Sequence, residues 1–201
     1  MSKIIQVLGQ RELTDWIASG NSTPSHLISI ANPFVNRPQI FRQHFDEVLE
    51  LNFFDAESVA GITRRFPTIP EQYKILPRKE DVLAIADFIV KTKARSSGYT
   101  IHCHSGVARS TATALIVIYM LCGSEEMAAR MLMKLRPQAI PHRSMVRYFD
   151  ELAGTDLSKY RKVIFDYQAR RVVNGKYRKK RSPRILVIEG EVIRIEKPNI
   201  Q

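Results

Sequence analysis

The sequence predicts an α/β fold, in which a central, mostly parallel sheet is flanked by helices. The first observation is that short apolar segments typical of covered strands alternate along the chain with segments of helical periodicity. The second is that residues 110–121 (STATALIVIYML) are apolar on nearly every side, which is typical of a helix buried against a sheet.

Each element has its own signal. The apolar segments predict strands at residues 3–8, 26–30, 48–54 and 99–103. Periodicity and end signals predict helices at 11–18, from Pro77 onward, at 110–121, after Ser124, and at 142–152. Residues 55–75 contain one glycine and two prolines and are predicted to form a long irregular segment, which in a compact domain is usually functional or mobile.

The positive charge is concentrated near the end of the chain. The net charge is +11, but residues 1–158 carry 18 basic and 16 acidic side chains, whereas residues 159–184 carry 11 and 1. We therefore predict a main domain over residues 1–157 and a basic extension over residues 158–201. Residues 158–173 are predicted to be helical, residues 174–183 to be a basic linker, and residues 184–195 to be a β-hairpin that must pack on something else.

Composition excludes several classes of protein. The longest apolar run, residues 112–122, is about half of what a membrane span requires, and the N-terminal residues lack the pattern of a signal peptide. Two cysteines, Cys103 and Cys122, are too few for a disulfide framework. These observations predict a cytoplasmic protein whose thiols stay reduced.

The most informative segment is residues 101–110, IHCHSGVARS. A predicted strand ends at Cys103, and after five intervening residues Arg109 stands just before the buried helix. A strand-to-helix turn directs backbone N–H groups at one point, and such a point binds a phosphate dianion. The turn residues that would supply this site are His104, Ser105, Gly106, Val107 and Ala108.

The requirements of phosphate binding and transfer explain why these residue types occur in this segment. Gly106 permits a positive φ and leaves room for the phosphate. The planar fork of Arg109 can bind two phosphate oxygens, and the same positive field favours a nucleophilic thiolate at Cys103. Ser110 can hydrogen-bond that thiolate and help it to leave. His102, on the strand, is expected to orient the loop rather than to act as a base.

These residues resemble the signature of the protein-tyrosine phosphatase superfamily, His-Cys-x-x-Gly-x-x-Arg-Ser/Thr, in its small dual-specificity-like and bacterial branch. The resemblance covers roughly residues 1–153 and includes LRPQAIPH at 135–142. It implies hydrolysis of phosphotyrosine, or also of phosphoserine and phosphothreonine, in proteins through a cysteinyl-phosphate, with no metal and no cofactor. Rhodanese-like enzymes usually have four residues between Cys and Arg, and low-molecular-weight phosphatases carry this loop near the N-terminus.

The resemblance also implies an aspartic acid upstream that protonates the leaving group. The candidates are Asp55, Asp81 and Asp87, and Asp55 is preferred because it follows a predicted strand at its carboxyl end. Asp81 would lie in the first turn of a helix, where acids are common. The 47 residues between Asp55 and Cys103 exceed the usual spacing, so residues 55–75, with Arg64, Arg65 and Tyr73, form either a substrate mouth or a lid.

Other functions remain open at this point. The enzyme could act on RNA 5′ ends or on phosphoinositides, although its loop lacks the lysine common in such relatives, and the chain could be a non-catalytic phosphate-binding adaptor. The extension 159–184 could be a solvated arm, bind nucleic acid or another polyanion, or contact an anionic membrane. Cys122 is expected to be a small core residue, though a protective disulfide with Cys103 is an alternative, and His142 is expected to be structural.

Overall fold

The structure is a computed structural model that describes residues 2–21, 24–173, 184–189 and 192–196. Its centre is one six-stranded sheet with the order β3-β2-β4-β1-β5-β6. The strands are β1 (Lys3–Gly9), β2 (His26–Ala31), β3 (Glu47–Asn52), β4 (Gly98–Cys103), β5 (Ile185–Glu189) and β6 (Val192–Glu196). The pairs among β1–β4 are parallel, whereas β5 pairs antiparallel with β1 and with β6. The predicted α/β class with a mostly parallel sheet is confirmed.

Eight helices connect and cover these strands in the part of the chain described above. Their bounds are α1 (Gln10–Ala18), α2 (Ile40–His44), α3 (Val59–Arg65), α4 (Lys79–Thr92), α5 (Arg109–Cys122), α6 (Glu125–Leu135), α7 (Arg143–Ala153) and α8 (Leu157–Val173). Their ends follow the expected signals. Ser124 caps α6 by accepting a hydrogen bond from Met127 N–H, while Gly123 and Gly154 end α5 and α7 in the left-handed conformation.

The helices lie on both faces of the sheet. The larger core joins α4, α5, α6, α7 and α8 to one face, and α5 is at its centre with every residue from Arg109 to Ile118 buried. A smaller core on the other face joins α1 and Phe41 of α2 to Leu8 and Leu27. The alternation along β1 explains this division, because Ile5 and Val7 belong to the first core and Leu8 to the second.

Two sequence predictions are wrong in detail. Strand β3 ends at Asn52 rather than at residue 54, because Phe54 N–H donates to Ile75 O, outside the sheet. Residues 55–75 are not irregular throughout, since they contain α3 and a 3₁₀ turn at Glu71–Tyr73. The buried Lys74 holds this segment together by donating to Thr63 Oγ1 and pairing with Glu71.

The C-terminal part contributes to the same sheet. The predicted helix after residue 157 is α8, and the predicted hairpin contains β5 and β6. The predicted linker, residues 174–183, lies outside the described residues. Because β5 extends the sheet from β1, with Leu186 fully buried and Ile188 nearly so, the division of the chain into residues 1–157 and 158–201 stays a prediction. None of the described helices has the length and apolarity needed to cross a bilayer.

Replacement of Leu186 tests that division. If β5 belongs to the folded core, Leu186→Ala should lower the free energy of unfolding by about 2–5 kcal/mol, because it leaves a cavity beneath the sheet. Val90→Ala is the control, since Val90 is 59% exposed on α4 and its truncation should change that free energy by about 0.5 kcal/mol or less. Chemical denaturation of the full chain measures both. Equal, small changes would show that the main domain is stable without β5.

Candidate active site

The site is built at the junction between β4 and α5. Strand β4 lies between β2 and β1 in the sheet and ends at Cys103, which is fully buried. Helix α5 begins at Arg109, so the turn consists of the five residues 104–108. Its first two residues, His104 and Ser105, are exposed, and Gly106 is buried. The structure therefore places the predicted phosphate loop at the carboxyl edge of the parallel strands, where ligands bind in such sheets.

Two polar groups face the thiol of Cys103. The backbone N–H of Gly106 donates a hydrogen bond to Sγ over 3.3 Å, and Ser110 Oγ lies 3.2 Å from the same sulfur. Both contacts can stabilise negative charge on sulfur, because each can supply a hydrogen. The structure thus brings Cys103 and Ser110 together as the sequence predicts.

Gly106 cannot carry a side chain in this loop. Its φ is +70°, and a Cβ at this position would lie 2.5 Å from Arg136 Nη2 and 2.7 Å from Gly9 N. The first atom belongs to a side chain, but the second is main chain at the end of β1 and cannot move without the sheet. The glycine therefore allows β1 to approach the loop closely, in addition to supplying the left-handed turn.

An ion pair that the sequence analysis missed supports the loop from this side. Arg136, which is 3% exposed, donates through Nε to Gly106 O over 3.0 Å and through Nη2 to Glu12 Oε2 over 2.6 Å. The same Glu12 oxygen accepts from Gly9 N–H over 2.7 Å. A buried arginine paired with a carboxylate fixes both partners. Sequence alone gave no signal, since Glu12 and Arg136 lie far apart in the chain.

Arg109 is buried at the head of α5. Its Nη1 donates to Phe53 O over 2.7 Å and to Asn32 Oδ1 over 2.9 Å, which holds the guanidinium across the ends of β2 and β3. Among the described residues its buried Nε has no hydrogen-bond partner. Burial lowers the pKa of Arg109, while the nearby Cys103 and Asp55 oppose that shift. The guanidinium therefore keeps one unused donor, in a side chain that lines the pocket described below.

His102 is held beneath the loop as a neutral ring. Its Nε2 lies 2.7 Å from Ser29 Oγ, and Arg37 Nε donates to the same hydroxyl over 2.7 Å. Burial, with the charge of Arg37 as the next cause, lowers the pKa of His102 to about 3. Ser29 Oγ therefore joins His102 to Arg37, which fixes the plane of the ring. A ring that stays neutral at pH 7 fits the predicted role of orienting the loop.

A pocket opens beside the loop and contains the preferred acid. Asp55 lines it together with His104, Ser105 and Arg109. The other candidate acids lie elsewhere. Asp81 accepts from Arg78 N–H over 2.8 Å in the first turn of α4, and Asp87 is exposed further along the same helix. The structure therefore brings Asp55, alone among the three candidates, to the wall of this pocket.

The rest of the pocket wall is aromatic and basic. Phe54, Phe66 and Arg65 line it, and the guanidinium of Arg65 stacks over the ring of Phe66 at 5.3 Å. Phe34 packs near Phe54, with ring centroids 6.1 Å apart, and is 58% exposed at a φ of +58°. A bulky residue in the left-handed region is rare and is most often found at functional sites. Of the predicted mouth residues, Arg65 reaches the pocket.

The weaker candidates lie outside the pocket. Cys122 ends α5, so the length of that helix, about 20 Å, separates it from the loop and excludes a direct disulfide with Cys103. His142 is buried at the start of α7, where Nε2 lies 3.2 Å from Ala56 O, and burial lowers its pKa. Among the described residues, no group of three or more His, Cys, Asp or Glu side chains could hold a metal ion.

The chain was compared with known proteins. No protein-family model and no curated protein matches it. Among solved structures it is similar to Tk-PTP in its active form, at 16% identity and a TM-score of 0.49, over 77% of this chain and 88% of that one. It is also similar to DUSP15, at 16% identity and a TM-score of 0.48, over 81% of this chain and 90% of that one. A third similar structure is PTPMT1 in complex with PI(5)P, at 13% identity and a TM-score of 0.48, over 81% of this chain and 92% of that one. At such values, function must be inferred from the site residues themselves.

A pair of glycine substitutions tests the geometry of the loop. Gly20 and Gly106 have nearly the same φ, +69° and +70°, but a Cβ at Gly20 would meet no atom within 4 Å. Gly20→Ala should therefore cost only the left-handed strain of about 1–2 kcal/mol. Gly106→Ala should cost more and should also weaken binding of inorganic phosphate. Denaturation and calorimetric titration measure these quantities, and equal effects of the two substitutions would contradict the close approach of β1.

Proposed function

We propose that this chain is a cysteine-dependent phosphatase of the protein-tyrosine phosphatase superfamily, which hydrolyses phosphotyrosine in proteins, and also phosphoserine or phosphothreonine, through a cysteinyl-phosphate. The observation that carries the proposal is the arrangement at one turn. Gly106 N–H donates to the Cys103 sulfur, Ser110 Oγ lies 3.2 Å from the same sulfur, and Arg109, whose Nε has no hydrogen-bond partner among the described residues, lines the pocket beside them. A cysteine sulfur with a backbone donor and an arginine beside it suits nucleophilic attack on phosphorus.

The first chemical step transfers the phosphoryl group to the enzyme. The Cys103 thiolate attacks phosphorus, an S–P bond forms, and the P–O bond to the substrate breaks. The loop N–H groups and Arg109 bind the non-bridging oxygens, where charge must be stabilised in the transition state. The departing oxygen takes a proton from Asp55, which lines the pocket beside Arg109.

The second step releases phosphate. The carboxylate left on Asp55 accepts a proton from water as the water oxygen attacks phosphorus, and the S–P bond breaks. The thiolate departs next to Ser110 Oγ, 3.2 Å away, whose hydrogen stabilises the charge returning to sulfur. Every proton and every electron pair is accounted for by Cys103, Asp55, water and substrate, so the reaction needs no metal and no cofactor.

The pocket favours a phosphate carried on an aromatic ring. Phe54 and Phe66 form an apolar wall beside the loop, and aromatic rings pack well against each other in offset or edge-to-face arrangements. Arg65 in the same wall would attract acidic residues that flank a phosphotyrosine. No comparable feature among the described residues favours RNA 5′ ends or phosphoinositides as substrates.

Replacement of the nucleophile tests the proposal. The wild-type chain should hydrolyse p-nitrophenyl phosphate and phosphotyrosine peptides in the presence of a metal chelator. Cys103→Ser should abolish both activities and should still bind inorganic phosphate, because the loop and Arg109 remain. Cys122→Ser is the control and should keep full activity. A wild-type chain without activity would favour the adaptor hypothesis, and faster release from a phosphoinositide would favour the lipid substrate.

The leaving group tests the role of Asp55. A phenol of low acidity needs a proton as it departs, whereas a strongly acidic phenol departs as an anion. Asp55→Asn should therefore slow hydrolysis of phosphotyrosine peptides by about a hundredfold or more, and should slow an aryl phosphate with a strongly acidic phenol much less. Asp81→Asn and Asp87→Asn serve as controls. The assignment fails if either control shows this dependence on the leaving group, or if Asp55→Asn slows all substrates equally.

A further inference from the structure

The segment between α6 and α7 contacts the phosphate loop directly. Ile140 N–H donates to Val107 O over 2.9 Å, and His142 N–H donates to Ala108 O over 3.3 Å. These two backbone bonds run to the last two residues of the loop, just before Arg109. We call residues 140–144 the bridging segment. Its position relative to the loop is fixed by main-chain contacts, which side-chain rotation cannot break.

The same segment binds the chain that follows Asp55. Glu57 reaches the N-terminus of α7, where Oε1 accepts from Arg143 N–H over 2.9 Å and Oε2 is hydrogen-bonded to Ser144 Oγ. One residue earlier, Ala56 O lies 3.2 Å from His142 Nε2. A carboxylate at a helix N-terminus is stabilised by the free N–H groups and by the helix dipole. Glu57 therefore caps a helix that lies 86 residues further along the chain.

Burial and a further contact make the segment rigid. The side chain of His142 is 2% exposed, and Arg161 of α8 donates through Nε to Pro141 O over 2.8 Å. Burial opposes ionisation of Glu57, but the hydrogen bond from Ser144 and the neighbouring groups of α7 outweigh burial and lower its pKa. Glu57 is thus an anion at neutral pH, as a helix cap requires, and α8 adds a further contact to the segment through Arg161.

We infer that the bridging segment sets the distance between the phosphate loop and the acid, and that Glu57 and Ser144 are positioning residues for Asp55. The inference rests on the proposed function, in which Asp55 is the proton donor. Neighbouring residues of the bridging segment contact the phosphate loop and the residues after Asp55. The bound phosphate and the proton donor are therefore held at a fixed distance from each other. A proton donor that is held in place accelerates the reaction more than one that must be ordered in each catalytic cycle. Asp55 and Ala56, which line the pocket, then form a fixed wall rather than a lid.

The test compares substrates that differ only in the acidity of their phenol. Ser144→Ala and Glu57→Ala should slow aryl phosphates with weakly acidic phenols by roughly tenfold or more, and should slow those with strongly acidic phenols much less. Affinity for inorganic phosphate should stay within about twofold of the wild-type value, because the loop is untouched. Ser144→Thr, which keeps the hydroxyl, should hydrolyse the same substrates at close to the wild-type rate. The readout is the slope of log kcat/KM against phenol acidity in the full chain.

Ser124→Ala is the matched control. Ser124 Oγ also makes a hydrogen bond at the start of a helix, where it accepts from Met127 N–H of α6. In the part of the chain that the structure describes, no hydrogen bond or ion pair joins α6 to residues 55–57, so loss of this cap should reduce stability without changing the slope. The inference is overturned if Ser144→Ala and Glu57→Ala slow all substrates equally, or if Ser124→Ala changes the slope as much. Should Glu57→Ala not fold, Ser144→Ala and Glu57→Gln decide the question. Asp55→Asn is measured in parallel, and if it leaves the slope unchanged, the proposed acid itself is wrong.

Discussion

The five-residue turn between β4 and α5 is the constraint on which the other features of this molecule depend. It must present backbone N–H groups to one point while a buried thiol and a buried guanidinium stand at its two ends. The turn alone cannot hold the Cys103 thiol and the Arg109 guanidinium in these positions. The sheet fixes Cys103 because β4 has neighbours on both sides, and the core fixes Arg109 because α5 is buried along most of its length.

Parts of the chain that are distant in sequence support the turn. On one side, the pair Glu12–Arg136 joins the end of β1 to Gly106 O. On the other, the bridging segment joins Val107 and Ala108 to Ala56 and Glu57. Most of these supports are buried or partly buried, where hydrogen bonds involving charged groups are strong and their loss is costly. The chemistry of a short motif is therefore maintained by residues that the motif does not contain.

The sequence predicted the parts of this arrangement that are local. Strand and helix periods place Cys103 and Arg109, and the glycine and the serine of the motif follow from the needs of the turn. The sequence did not predict the roles of Arg136, Glu12 and Glu57, because the contacts that bring them to the loop join residues far apart in the chain. Residues 55–75 were predicted to be irregular because α3, a short helix that contains a glycine, has too few turns to show helical periodicity. The position of Asp55 at the pocket could be predicted because strand ends have local signals, even though β3 stops three residues before it.

The pairing of β5 with β1 affects how the chain must fold. Lys3 pairs with Ile188, so one edge of β1 stays open until a strand much further along the chain has been synthesised. Until then that edge presents unpaired N–H and C=O groups, and such an edge can pair with another chain. Contacts between segments so distant in sequence also slow folding, because the entropy of closing a long loop must be lost first. The pairing of β1 with β5 therefore closes an edge of the first strand that is open during synthesis.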